Sequence, residues 1–410
     1  MSTLLLRGGR PWGRDEPTDV LIEDGVIAAM GPSGDPAAGA VDVEVLDVSD
    51  RLVLPGLVDA HCHLDKTLYG GPWVPHPAGD ALADRIGTER RRRGELGVPA
   101  VDRIIDLLTT MVTAGTTTAR SHVDVAPELG LSGVEAVRRA LERLGDRISV
   151  QLVAFPQYGI LGETGTADLM DRALAEGVEA VGGIDPAGMD GDPVRHLDIV
   201  FGLADKYGAM IDIHLHDGGS LGVWELELIC ERTKVLGLQG RVTVSHAYAL
   251  GQASASEQDR VAARLADAGV TITTAAVYDF PVAPVKRLRD AGANVACGHD
   301  GIRDLWGPYG TGDMLDRAMH LAYRSTFRRD DDIELALDAA TRGGAVALGV
   351  RPNGGGDDDG DGGGSPIVVG DVGDLVVVAA STPAEAVVTR PPREIVVKGG
   401  RVVAREGVVV

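Results

Sequence analysis

The sequence predicts an α/β protein: a (β/α)8 barrel of the TIM-barrel class, carrying a small β-sandwich assembled from both chain ends. Three observations carry this. Through the middle of the chain, apolar β-rich runs alternate with longer helical patterns, as in a parallel sheet buried on both faces. The two ends read alike, as short β-type runs broken by turn residues, and neither end alone is large enough to bury a core. A length of 410 residues suits one barrel with a small addition.

In chain order, the first β-type runs cover 3–6, 20–22, 26–30 and 43–48, and their C-terminal counterparts cover 367–369, 375–378, 394–398 and 402–403. Residues 1–55 and 366–410 are therefore expected to form the composite sandwich, with 56–350 as the barrel. Its eight strands are expected near 57–64, 116–125, 149–156, 180–184, 210–216, 242–247, 271–277 and 294–300. Helical patterns at 101–114, 133–144, 193–207 and 221–236 fill gaps between them. Residues 351–365 are a Gly/Asp-rich segment that cannot bury apolar surface, so a flexible loop is expected there. Its acidic spacing lacks the closing Glu of a calcium loop.

With 61 acidic against 39 basic side chains, the formal charge of −22 repels phosphate backbones and anionic membranes. No nucleic acid and no membrane partner is expected. Arg90 to Arg93 are the one basic run, expected as a solvated or subunit-contact face. Cys62, Cys230 and Cys297 are odd in number and widely spaced, which argues for a reducing compartment. With no basic-apolar leader and no run long enough to span a bilayer, a cytoplasmic protein is expected.

The strongest local signal is Asp59-Ala-His61-Cys62-His63-Leu64-Asp65-Lys66, at the end of the first expected strand. Side chains two apart on a strand share a face, so His61 and His63 project together into the barrel mouth, a natural metal clamp. Three more strand ends carry imidazole or carboxylate: His214-Leu215-His216-Asp217 on the fifth, Ser245-His246 on the sixth, and His299-Asp300 on the eighth. Chemistry in such barrels sits at the C-terminal strand ends. Buried His and Asp without partners are costly, so this concentration points to a metal site rather than to packing.

These motifs, with Ser121-His122-Val123-Asp124, Phe155-Pro156-Gln157-Tyr158-Gly159 and Gly298-His299-Asp300 followed by Asp304-Leu305-Trp306, resemble the amidohydrolase superfamily, and within it most closely the cytosine deaminase family. The resemblance spans essentially the whole chain. It implies His61, His63, His214 and Asp300 as ligands of one divalent ion, with His246 beside the activated water. It also implies Gln157 as a hydrogen-bonding partner of the substrate ring, Trp306 as its cover, and a homo-oligomer. The third to fifth expected strands contain no lysine that would bridge a second ion. Three imidazoles and a carboxylate suit Zn2+ and Fe2+ equally.

A bound ion brings water near neutrality in pKa, and His246 and Asp300 are placed to orient and deprotonate it. A separate acid must protonate the ring nitrogen. Relatives place a Glu at the position of Asp217, so Asp217 is expected as the proton carrier, with His216 as second candidate on the face of His214. Gly301 stands where cytosine deaminases carry a second Asp, which puts cytosine itself in doubt and suggests another amino-heterocycle. His122 and Asp124 are expected to support the site. His299, Cys62 and Cys297 point the other way and pack in the wall, and His76, His196 and His320 are expected on the surface or on helices.

The leading expectation is hydrolytic deamination of a small amino-substituted N-heterocycle such as a pyrimidine, purine, pterin or triazine. The alternative is hydrolysis of a cyclic amide or substituted-amine C–N bond, and ammonia release separates the two. A third reading is an inactive, metal-stabilised scaffold, against which the complete ligand set argues.

Overall fold

The computed structural model describes residues 3–33, 43–76, 79, 82–350 and 367–410. The segment 351–365, expected as a flexible loop, lies outside them. Eight parallel strands follow one another around a barrel: Leu57–Cys62, Thr116–Asp124, Ser149–Phe155, Ala180–Ile184, Met210–Leu215, Val242–His246, Val270–Thr274 and Val295–Cys297. Sequence neighbours pair throughout, as in the full register of Ile211–Leu215 with Val242–His246. First and eighth strands meet through a bridge between Cys62 and Asp300, where Asp300 N donates to His61 O at 2.8 Å. Gly298 permits this approach: a Cβ there would lie 2.5 Å from the His61 backbone.

Several strands are shorter than their apolar runs suggest. The seventh stops at Thr274 and the eighth at Cys297, because the chain turns before the β-type run ends. Asp185, His246 and Asp300 all have positive φ (34°, 70° and 66°), a conformation that costs free energy for a residue with a Cβ and recurs at functional sites. In each case the turn falls at a strand's C-terminal rim and aims a polar side chain over the barrel mouth.

Outside the strands pack the helices Val101–Thr113, Ser132–Leu144, Pro193–Tyr207, Gly219–Val235 and Ala255–Ala268. The helix Pro193–Tyr207 shows why the boundaries fall where they do. Asp192 accepts from Arg195 N, Pro193 occupies the first turn, and Gly208 ends the helix at φ 64°. Its buried face of Leu197, Val200, Phe201 and Ala204 joins the main core. The barrel floor holds a fully buried Arg120, bound to Asp212 at 2.8 Å and to the Ala347 carbonyl at 2.7 Å.

Both chain ends contribute to one nine-stranded sheet. Its seam is the antiparallel pairing of Leu52–Pro55 with Leu375–Val378. Leu4, Leu6, Val20, Ile22, Val377 and Val397 pack into a second apolar cluster there, which explains why neither end reads as a domain alone. The run at 367–369 is not a strand, contrary to expectation: the Asp371 carboxylate takes the Val368 N–H at 3.0 Å and turns the chain. Among the described residues, no helix is long and apolar enough to cross a membrane.

Candidate metal and substrate site

A cavity of ≈ 400 Å³ opens at the C-terminal rim of the barrel. One wall carries His63, His214, His216, His246 and Asp300; the other carries Lys66, Gln157, Asp304 and Trp306, with Tyr248, Val277 and Phe280 around them.

On the first wall, side chains from the ends of four strands converge. The Nε2 atoms of His63 and His214 lie 3.4 Å apart. Asp300 Oδ1 lies 3.3 Å from His63 Nε2 and 3.6 Å from His61 Nε2. The proton position on His61 follows from its neighbours. Ser245 Oγ donates to Asp212 at 2.7 Å, so it must accept from His61 Nδ1 at 2.8 Å, which leaves His61 Nε2 bare. That nitrogen is buried with no hydrogen-bond partner, as are both ring nitrogens of His246. Buried polar atoms seldom go unpaired. Ligand atoms of His61, His63 and His214 lie within 4.8 Å of one another, as do those of His61, His246 and Asp300.

Protonation states agree. Burial, then the Lys66 charge, pushes His63 down to about 4. Burial and neighbouring imidazoles hold His214 and His246 well below the usual histidine value. Burial works against the Asp300 carboxylate, but the imidazoles of His61 and His63 outweigh it and hold it well below the carboxylate range. Neutral imidazoles beside one carboxylate, with lone pairs converging, fit a divalent cation. His122 packs against the His61 ring, 4.2 Å between centroids, and stays neutral through burial and the surrounding imidazoles.

His216 differs from His214 two residues earlier. Its Nδ1 lies 2.8 Å from Asp185 Oδ2, and its ring stacks on His246 at 4.5 Å. Burial lowers its pKa, but Asp185 outweighs burial and the net shift is upward. Asp217 is not among the residues lining the cavity. Its backbone N–H and that of His216 both donate to Asp185 Oδ1, which turns the Asp217 carboxylate outward onto Gly188 N at 2.8 Å. There it meets Glu225, whose pKa burial and the Asp217 charge push up to about 8.

The second wall is ionic. Lys66 Nζ donates to Gln157 Oε1 and lies 3.1 Å from Asp124 and 3.8 Å from Glu89. Arg93 binds Asp124 at 2.6 Å and Asp65 at 2.9 Å. Glu89 in turn accepts from Trp306 Nε1 at 2.7 Å, and Lys66 lies 5.4 Å from that ring's centroid. Arg93 therefore corrects the expectation of a solvated basic face: it is 4% exposed, because the helix Leu82–Arg92 brings it onto two buried carboxylates. His196 lies on the helix Pro193–Tyr207, as one of the expected alternatives had it, and is buried and bound to Asp190 at 2.7 Å. His299 packs on Asp59 at 2.7 Å, away from the cluster.

Lys66, Asp185, Asp304, Glu89 and Arg93 acquire roles that sequence reasoning did not give them. Lys66 lies three residues after the His-x-His pair and Asp185 directly follows a barrel strand, so position offered a signal for both. Glu89 and Arg93 had none, since nothing local distinguishes them from a solvated helix face.

An α/β barrel whose rim gathers unprotonated imidazoles and one carboxylate around a cavity is the framework of a metal-dependent hydrolase. Residues 44–410 match the Amidohydrolase family, and the chain belongs to it. It is 33% identical to N-isopropylammelide isopropyl amidohydrolase of Pseudomonas sp. (strain ADP), covering 91% of this chain and 90% of that protein. The crystal structure of N-isopropylammelide isopropylaminohydrolase from Burkholderia multivorans superposes with a TM-score of 0.91 at 43% identity, covering both chains fully. The pterin deaminase of Rhizobium rhizogenes is 26% identical over 94% of this chain and 88% of that protein. The protein is thus a hydrolase of the amidohydrolase superfamily acting on C–N bonds, and its histidine-aspartate cluster indicates a metal ion.

Proposed function

We propose that the protein removes an alkylamino or amino substituent from a small oxo-bearing N-heterocycle by hydrolysis, with N-alkylated triazines such as N-isopropylammelide as the first class to test. The observation that carries this reading is His216, a cavity-lining imidazole raised in pKa by Asp185 and stacked beside His246. It is an acid placed to serve a leaving nitrogen.

One ion held by His61, His63, His214 and Asp300 would supply acidified water, and the donor set suits zinc or ferrous iron. No lysine lies on the third, fourth or fifth strand to hold a second. His246 and Asp300 would orient the water and take its proton as its oxygen adds to the ring carbon, the C=N electron pair passing to the ring nitrogen, which receives that proton. His216 would deliver a proton to the exocyclic nitrogen, the C–N bond breaks, and the adduct's hydroxyl loses its proton as it becomes the ring carbonyl, restoring His216 as amine and ring separate. Asp217, turned away from the cavity, holds the loop after the fourth strand. Ile184, Val277, Phe280 and Pro281 line an apolar side of the cavity, which supports an alkyl substituent over a bare amino group.

The pterin deaminase relative supports the second reading, release of ammonia. Metal-loaded protein incubated with N-isopropylammelide and with unsubstituted amino-heterocycles separates the two by the amine set free. Release of isopropylamine is expected, ammonia alone selects deamination, and no amine from either panel overturns the hydrolytic reading. Cys62, Cys230 and Cys297 are buried and unpaired, which supports a reducing compartment.

A further inference from the structure

Gly301 directly follows Asp300, and a Cβ built on it would lie 2.2 Å from Asp304 Oδ2. The Asp304 carboxyl thus fills the space that a side chain at residue 301 would take. Asp304 is 1% exposed and lines the cavity. It is fixed on every other side. Oδ1 accepts the backbone N–H groups of Trp306 at 2.8 Å and Gly307 at 3.0 Å. Its own carbonyl binds His76 Nε2 at 2.6 Å, and its N–H donates to Gly307 O at 3.1 Å. Oδ2 hydrogen-bonds no group among the described residues.

Burial pushes the Asp304 pKa up to about 6, still below neutrality, so at pH 7 Oδ2 acts chiefly as an acceptor. Gln157, on the same cavity, has the opposite bias. The Lys66 ammonium can only donate, so it fixes the amide oxygen of Gln157 toward itself and leaves the amide N–H groups as free donors on that side chain. Asp304 and Gln157 therefore offer the cavity a fixed acceptor and a fixed donor.

We propose that Asp304 is a specificity-determining residue, its Oδ2 accepting a hydrogen bond from a ring N–H of the substrate while Gln157 donates to a ring carbonyl. The pair selects heterocycles with a lactam or imide edge. Rings that present only alkylated nitrogens leave a buried carboxylate oxygen unpaired and are rejected, since an unmade hydrogen bond to a charged group costs more than a missing contact. This assignment rests on the hydrolytic reading above and narrows its substrate class.

The test uses the full-length, metal-loaded protein. Calorimetric Kd values are measured for cyanuric acid, whose ring carries imide N–H groups, and for its N,N′,N″-trimethyl derivative, which carries none; turnover is measured with N-isopropylammelide. Wild type is expected to prefer cyanuric acid by roughly 30-fold or more. Asp304→Asn keeps an acceptor for the Trp306 and Gly307 N–H groups and should lose most of that preference, raising KM about tenfold or more with metal content unchanged. Gly301→Ala, which displaces Oδ2 without deleting it, should shift the preference the same way and covers the case in which Asp304→Asn does not fold. Undiminished discrimination in either folded variant overturns the proposal, as does wild type that binds both rings alike. Wild type that selects cyanuric acid yet releases no amine overturns the hydrolytic reading and leaves the ring-recognition assignment standing.

Discussion

The two walls of the cavity are both largely buried and chemically opposite. On the histidine wall, burial holds His63, His214 and His246 neutral, and His61 Nε2 and both His246 nitrogens face no partner. On the other wall, burial also acts against charge, yet Lys66 stays charged, held above the usual lysine value by Asp124 and Glu89. Arg93 likewise stays charged against Asp124 and Asp65. What differs is the counter-charge. The ionic wall contains its own cations; the histidine wall sets Asp300 among imidazoles held neutral, with His216 alone raised, and its donor set fits a divalent cation. Depth alone therefore does not set protonation in this barrel; the neighbour does.

The largest effect that would break this contrast is on metal content. His61→Ala and His214→Ala should each empty the site and lower turnover by at least ~10³-fold, whereas His299→Ala, altering a residue packed on Asp59, should keep the ion. Elemental analysis of the purified variants decides it, and an ion retained in both ligand variants would refute the assignment. Next comes the acid. His216→Asn should keep the ion and lower kcat by ~10²-fold or more, the usual contribution of a positioned acid, while Asp217→Asn should stay within about fivefold. The reverse order would return the proton to Asp217.

A smaller effect lies on the ionic wall. Lys66→Met leaves three carboxyl groups facing Arg93 alone and should cost roughly 3 kcal/mol of stability, as breaking a buried ion pair does. Denaturant unfolding measures it, and an unchanged midpoint would show that this wall is not held by matched charge. The smallest concerns Glu225, raised to about 8 from 4.5. The fold keeps the acid protonated while the unfolded chain ionises it, so this stability is present below pH 4.5 and is lost as pH rises toward 8. Glu225→Gln, permanently neutral, should gain on wild type across that window, on the order of 1–2 kcal/mol at its upper end. A difference independent of pH would contradict it.

How much of this was legible depends on how far each residue's partner lies along the chain. The barrel was readable because each strand and helix carries its own period, and the pairing of His61 with His63 needs only strand alternation. His216 was readable by the same rule from His214. Asp217 was not, because its direction is set by Asp185, from the neighbouring strand's end, capturing two backbone N–H groups. Arg93 was misread because its helix looks solvated until Asp65 and Asp124 are brought against it. Gly301 is the reverse case: the sequence shows a missing side chain, and only the fold shows Asp304 in its place.

The bridge between Cys62 and Asp300 has a consequence for the order of events during synthesis. Two of the proposed ligands, His61 and Asp300, are joined across it by a backbone hydrogen bond, yet one lies near the start of the barrel and the other at its last strand. A ribosome-bound chain shorter than about 300 residues cannot present both, so the complete proposed ligand set exists only once the eighth strand has been made. An ion held by both would tie the first strand to the last across this seam, and chelation should loosen the chain there first.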